Sequence, residues 1–136
     1  MTNPKLRRYM KTDNVGPFRV TGMKPAVESL AQILADMSRE QSEIYNALSH
    51  AGMLVCRYQR NSTTKISNHS WGTAIDLKIA GELDDRGDGR TQYGLTLIAP
   101  IFHRYGWYWG ATFPTEDSMH FEASRGLTDA WVSGMK

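Results

Sequence analysis

Apolar residues in this chain change their spacing part-way along, from a helical period to short runs, and that change limits the fold more than any other feature. Val27, Leu30, Ala31, Leu34 and Met37 recur every three or four residues, as one buried helical face requires. Pro25 falls in the first turn of that segment, where its missing N–H is tolerated. Ser38, with Gln41 three residues on, reads as a capping box. Ile44, Ala47, Leu48 and Ala51 then share one face up to Gly52, which suits a left-handed stop. Two helices are predicted, the second of about three turns.

Beyond Gly52 the apolar groups are strand-sized. Met53-Leu54-Val55-Cys56 reads as a buried strand leading to Arg57 and Arg60, Thr73 to Ile79 as a β-branched strand, and Trp107 to Trp109 and Met119 to Phe121 as two more. Asn61 to Lys65 and Gly81 to Arg90 are polar loops, the latter containing Asp-Arg-Gly-Asp-Gly, and Pro114 marks a third. Leu97, Ile98, Ile101, Phe102 and Tyr105 predict a helix whose early turn must accommodate Pro100. A further helical turn or two is expected around Leu127 to Trp131. The fold class is therefore α+β: helices on a small, mostly antiparallel sheet.

A chain of 136 residues, 40% hydrophobic, supports one core and no second domain. Residues 1–15 are polar and aperiodic, so a flexible N-terminal arm is expected, followed by one domain over 16–136. Cys56 is the sole cysteine, which excludes an intrachain disulfide and any cysteine cluster around a metal. The formal net charge of +2 is too small, and the basic residues too scattered, for a nucleic-acid partner. No segment is long and apolar enough for a membrane span or a signal-peptide core. A soluble monomer made in the cytoplasm is expected, with any work outside the cell needing another route of release.

The candidate chemistry lies in Ser67-Asn68-His69-Ser70-Trp71-Gly72-Thr73-Ala74-Ile75-Asp76 and in Asp117-Ser118-Met119-His120-Phe121-Glu122. His69 at the end of a loop and Asp76 in the following strand offer an imidazole nitrogen and a carboxylate oxygen, both suited to zinc, and His120 supplies a third donor. Three protein donors leave one tetrahedral position for water, the mark of a catalytic rather than a structural ion. Gly72 and Ala74 are small enough to let the backbone pass close to a metal or a neighbouring strand, and alternation puts Ala74 and Asp76 on one face. The plainer alternative is that His69 caps a turn and Asp76 makes a surface hydrogen bond. On a strand, Glu122 shares a face with His120 and can either orient its imidazole or face solvent. Glu116 reads as a surface carboxylate. His50 and His103 fall outside both runs and read as structural or exposed.

The pattern S-x-H-x-x-G-x-A-x-D formed by Ser67, His69, Gly72, Ala74 and Asp76 resembles the zinc peptidases of the D-alanyl-D-alanine carboxypeptidase and L-alanyl-D-glutamate endopeptidase family. The run from Asp117 to Glu122 matches that family's closing motif, Trp107-Tyr108-Trp109-Gly110 its aromatic-glycine segment, and Cys56 to Arg60 its arginine strand. The resemblance spans roughly residues 53 to 123 and implies zinc in a cleft over the sheet, held by His69, Asp76 and His120. It implies that Asp117 is the general base; many relatives carry glutamate there, and the endopeptidase-like branch also uses aspartate.

A guanidinium suits the oxyanion that develops during amide hydrolysis, and the resemblance favours Arg57 for it, with Arg60 as a further substrate contact. Ser67 reads as securing the turn before His69 on the substrate side, not as a nucleophile, because no histidine base is placed for it. Trp71, Trp107, Tyr108 and Trp109 could line a peptide groove or fill the core, with Trp109 the candidate for substrate contact. The resemblance implies a peptidoglycan stem peptide as partner and hydrolysis between L-alanine and D-glutamate, as in phage lytic enzymes released through a breached host membrane. Removal of terminal D-alanine is the alternative within the family. A zinc-stabilised cell-wall binding domain without catalysis is the alternative outside it.

Overall fold

A computed structural model describes residues 9–53, 72–79, 93–110 and 119–134. Arg57, Arg60, Ser67, His69, Trp71, Glu116 and Asp117 lie outside the described residues, as do Leu54 to Cys56, the polar loops 61–65 and 81–90, and Pro114.

The described residues form an α+β fold with four helices and two antiparallel sheets. Strands β1 (Met10–Asn14) and β2 (Arg19–Met23) make a two-stranded hairpin. Helix α1 (Lys24–Glu40) and the short α2 (Ser42–Ala47) follow. The second sheet contains β3 (Leu48–Gly52), β4 (Ala74–Ile79), β5 (Trp107–Trp109) and β6 (His120–Ala123) in the order β3-β4-β6-β5. Helix α3 (Tyr93–Arg104) lies between β4 and β5 in sequence, and α4 (Arg125–Gly134) follows β6. No helix among the described residues is long and apolar enough to cross a membrane.

The apolar period of α1 buries Ala26, Val27, Leu30, Ile33, Leu34 and Met37 along one side, with Pro25 in the first turn as expected. The proposed capping box is not one. Ser38 sits inside α1, its hydroxyl donating to the Ala35 carbonyl at 2.7 Å, and the helix runs on until Gln41 leaves helical geometry. The predicted second helix is also cut short, because Leu48–Gly52 pairs with β4, Leu48 facing Ile79, Ser49 facing Lys78 and His50 facing Leu77. Ladder hydrogen bonds override the helical pattern there. Ala51, which a helix would have buried, is exposed. The His50 imidazole N–H donates to the Arg19 carbonyl at 2.9 Å and its ring packs on Phe18, so this histidine is structural.

Met10–Asn14, part of the arm expected to be loose, is strand β1. Its side chains give no apolar alternation, and pairing with β2 supplies the order, including a Thr12–Thr21 hydroxyl contact of 2.7 Å. Helix α3 begins before its first predicted apolar residue and keeps Pro100 well inside, on an exposed face. Helix α4 is longer than the turn or two expected; the Ser124 hydroxyl accepts the Leu127 N–H at 3.2 Å and caps it.

The core lies between α1, α3 and the second sheet. Phe121 stacks on Phe102 with ring centroids 4.1 Å apart, and Trp107 meets Phe102 edge-on at 5.7 Å while its indole N–H donates to the Ser29 hydroxyl. At the surface, Arg104 forks onto Glu40 at 2.7 and 2.9 Å and reaches Asp36, which also accepts from Tyr105 at 2.6 Å. These bonds tie the end of α3 to the last turns of α1. They hold the carboxyls of Asp36 and Glu40 below the usual carboxylate range.

Gly72 sets where β4 enters the sheet. Its carbonyl accepts the Met23 N–H at 3.0 Å, its φ is +69°, and a Cβ there would lie 2.5 Å from the Met23 nitrogen. Thr73 passes on to accept the Ala123 N–H at 3.0 Å, so this short stretch threads between β2 and β6. Backbone atoms on the far side cannot give way as a side chain could. Gly72→Ala is therefore expected to lower unfolding free energy by about 1–3 kcal/mol, read from the denaturant midpoint. An unchanged midpoint would show that this crossing is not tight.

Candidate active site

Asp76 and His120 stand opposite each other on the adjacent strands β4 and β6, 44 residues apart in sequence. Both are buried, with 5% and 6% of their surface exposed. Because side chains alternate across a strand, they share the sheet face that the aromatic core does not occupy: Ile75, Leu77 and Phe121 point the other way, into the core. Gly52 is the β3 partner of Asp76, placing a residue without a side chain at that end of the row.

The His120 ring is held at both nitrogens. Nδ1 lies 3.1 Å from Asp76 Oδ1, and Nε2 lies 2.9 Å from Glu122 Oε1. Glu122 is two residues along β6 from His120, as strand alternation requires of a shared face, and it is half-buried rather than directed wholly to solvent. Burial opposes a charged imidazole, but the hydrogen bonds to Asp76 and Glu122 outweigh it and raise the His120 pKa to about 9. With Nε2–H donating to Glu122, Nδ1 is the atom turned toward Asp76.

Lys78 and Tyr108 are among the other side chains on this face. Lys78 is two residues beyond Asp76 on β4, and Tyr108 stands opposite Glu122 on the outer strand β5, 54% exposed. Lys78 was not singled out by sequence, and Tyr108 only as one of four aromatics that could line a groove or fill the core, although alternation from Asp76 and from Glu122 leads to both. Trp109, the sequence candidate for substrate contact, is on the opposite face: it stands across from Phe121, and the rings stack at 6.3 Å with a 9° interplanar angle. The fold does not bring it to Asp76 and His120. His69, Asp117, Arg57, Arg60 and Ser67 lie outside the described residues, and among the described residues no group of three His, Cys, Asp or Glu side chains is arranged to hold a metal.

Residues 60–123 match the family model described as D-alanyl-D-alanine carboxypeptidase. Over that segment, just under half of the chain, the protein is similar to this zinc peptidase family. A comparison with curated proteins found no match. The matched segment begins at Arg60 and contains His69, Asp76, Asp117, His120 and Glu122, and in the fold it covers β4, α3, β5 and all of β6. Arg57 falls just before it. Peptidases of this family act on peptidoglycan and depend on zinc.

The donors fit the family's metal. Two ligands of a tetrahedral zinc with bonds of about 2.0–2.2 Å stand about 3.3 Å apart, close to the 3.1 Å between His120 Nδ1 and Asp76 Oδ1. The same contact serves as a hydrogen bond when a proton occupies Nδ1. Carboxylate support at the far nitrogen is the usual arrangement around a metal-binding histidine, because it fixes the tautomer and raises ligand basicity; Glu122 stands where that support is needed.

Proposed function

We propose that this chain is a zinc endopeptidase that hydrolyses the bond between L-alanine and D-glutamate in peptidoglycan stem peptides, in the manner of a lytic enzyme acting on the cell wall. The observation that carries this reading is the Asp76–His120 pair, joined across neighbouring strands and backed by Glu122, inside the segment that matches the family. The aspartate at position 117, shared with the endopeptidase-like branch, supports the choice of bond.

In this reading His69, Asp76 and His120 would hold the metal, and Glu122, by accepting a hydrogen bond from Nε2–H of His120, would fix the tautomer that turns Nδ1 to the metal. A bound zinc supplies a Lewis acid that polarises the scissile carbonyl and acidifies water. Asp117 takes a proton from the attacking water and delivers it to the departing amine, which balances the hydrolysis without a further acid. Arg57, with Arg60 as a further substrate contact, would offer the oxyanion a fixed positive charge, and Ser67 would secure the turn before His69.

Mass spectrometry of products from purified peptidoglycan tests the bond: a new D-glutamyl amine is expected, whereas free D-alanine would make the chain a carboxypeptidase. Asp117→Ala separates catalysis from metal-supported binding. It is expected to retain zinc and lose wall-lytic activity by about two to four orders of magnitude. Full activity would remove Asp117 from the mechanism, and a wild-type protein that binds walls without cutting them would make this a binding domain.

A further inference from the structure

The active-site face of the sheet carries a cation that the hydrolytic machinery does not use. Lys78 follows Asp76 by two positions on β4, so the two share a face with Cα atoms about 6.6 Å apart. Its neighbour Ile79 points the other way, toward Gly94 at the start of α3, which confirms that Lys78 turns from the core. Lys78 is half-buried, stands opposite Ser49 on β3, and has no ion-pair partner among the described residues, in contrast to Lys11 and Arg104. A lysine at the surface that pairs with nothing is ordinary. One that is half-buried two positions along the strand from a candidate ligand stands on the face over which a substrate would lie.

We propose that Lys78 binds a carboxylate of the substrate and thereby selects acidic peptides. The proposal rests on the peptidase reading and adds the chemical class that the site prefers. A peptide advances about 3.3–3.6 Å per residue when extended, so a chain lying along β4 places its carboxylate over Lys78 about one or two residues from the cleaved bond. The ammonium head on its flexible stem can follow that group, and partial burial makes the resulting charge-assisted hydrogen bond stronger than one in open water. A carboxamide at the same position keeps the shape but loses the charge. The expected discrimination is about tenfold, the value of one such bond.

The test uses two stem peptides that differ only in whether the glutamyl α-carboxyl is free or amidated, each N-methylated at the scissile amide so that neither is consumed. Calorimetric titration of the zinc-loaded protein is expected to show the acid binding about tenfold more tightly than the amide. Lys78→Gln should bind both with the affinity of the amide, and Lys78→Arg should restore the preference, with thermal midpoints showing that all three proteins are folded. Preference retained in Lys78→Gln, no preference in the wild type, or no binding of either peptide would each overturn the proposal. Cleavage of peptidoglycan is scored separately. A protein that cuts walls without preferring the acid leaves the peptidase reading intact and removes Lys78. A protein that prefers the acid and never cuts does the reverse.

Discussion

Asp76→Ala is expected to leave the protein without zinc and without wall-lytic activity. The carboxylate stands 3.1 Å from His120 Nδ1, so its removal takes away one proposed ligand and also the partner that faces a second. Two donors cannot hold a catalytic ion as three do, and residual turnover should approach that of the metal-free protein. Elemental analysis after dialysis is the deciding measurement. Zinc at one equivalent in the variant would strike Asp76 from the ligand set whatever the activity. The methyl side chain also removes one of the two carboxylates that raise the His120 pKa, so the imidazole should titrate lower than in the metal-free wild type. That shift is visible by NMR even if no activity is detected.

The second large effect is on stability. Phe121→Ala is expected to lower unfolding free energy by about 3–5 kcal/mol, a large part of the 5–15 kcal/mol that domains usually possess. Phe121 is fully buried, stacked on Phe102 and flanked by Trp109, and it sits on β6 between His120 and Glu122. Its loss opens a cavity directly beneath the active-site face. Phe121→Leu, which fills much of the same volume, should cost under about 2 kcal/mol. Chemical denaturation of the two variants separates cavity formation from a general intolerance at this position, and equal losses would argue against a packed core beneath the site.

Which parts of this molecule could be read from its sequence follows from how each part is stabilised. Helix α1 was legible because its own apolar period buries it, and β4 because a β-branched run between turn residues has few other uses. Strand β3 was not, since Ile44, Ala47, Leu48 and Ala51 fit a helical face and only pairing with β4 decides otherwise. Strand β1 was hidden for the opposite reason: Lys11, Thr12, Asp13 and Asn14 show no pattern, and their order comes from a partner strand.

The same distinction applies to the site. Asp76 and His120 stood out as residue types at telling positions, and Glu122 followed from alternation with His120. The choice between Tyr108 and Trp109 could not be made that way, because the face each occupies depends on strand register, and a slip of one residue exchanges them. With register known, Trp109 goes to the core and Tyr108 to the open face.

The strand order has a consequence for how the protein is made. β6 lies between β4 and β5 although it is the last of the four to be synthesised. A nascent chain that has reached residue 110 therefore holds two strand edges with a gap between them, each an invitation to pair with another molecule. Only when residues 120–123 arrive do the edges close, and the same event delivers His120 to Asp76. A ribosome that stalls in between releases an aggregation-prone fragment in which the Asp76–His120 pair is never assembled.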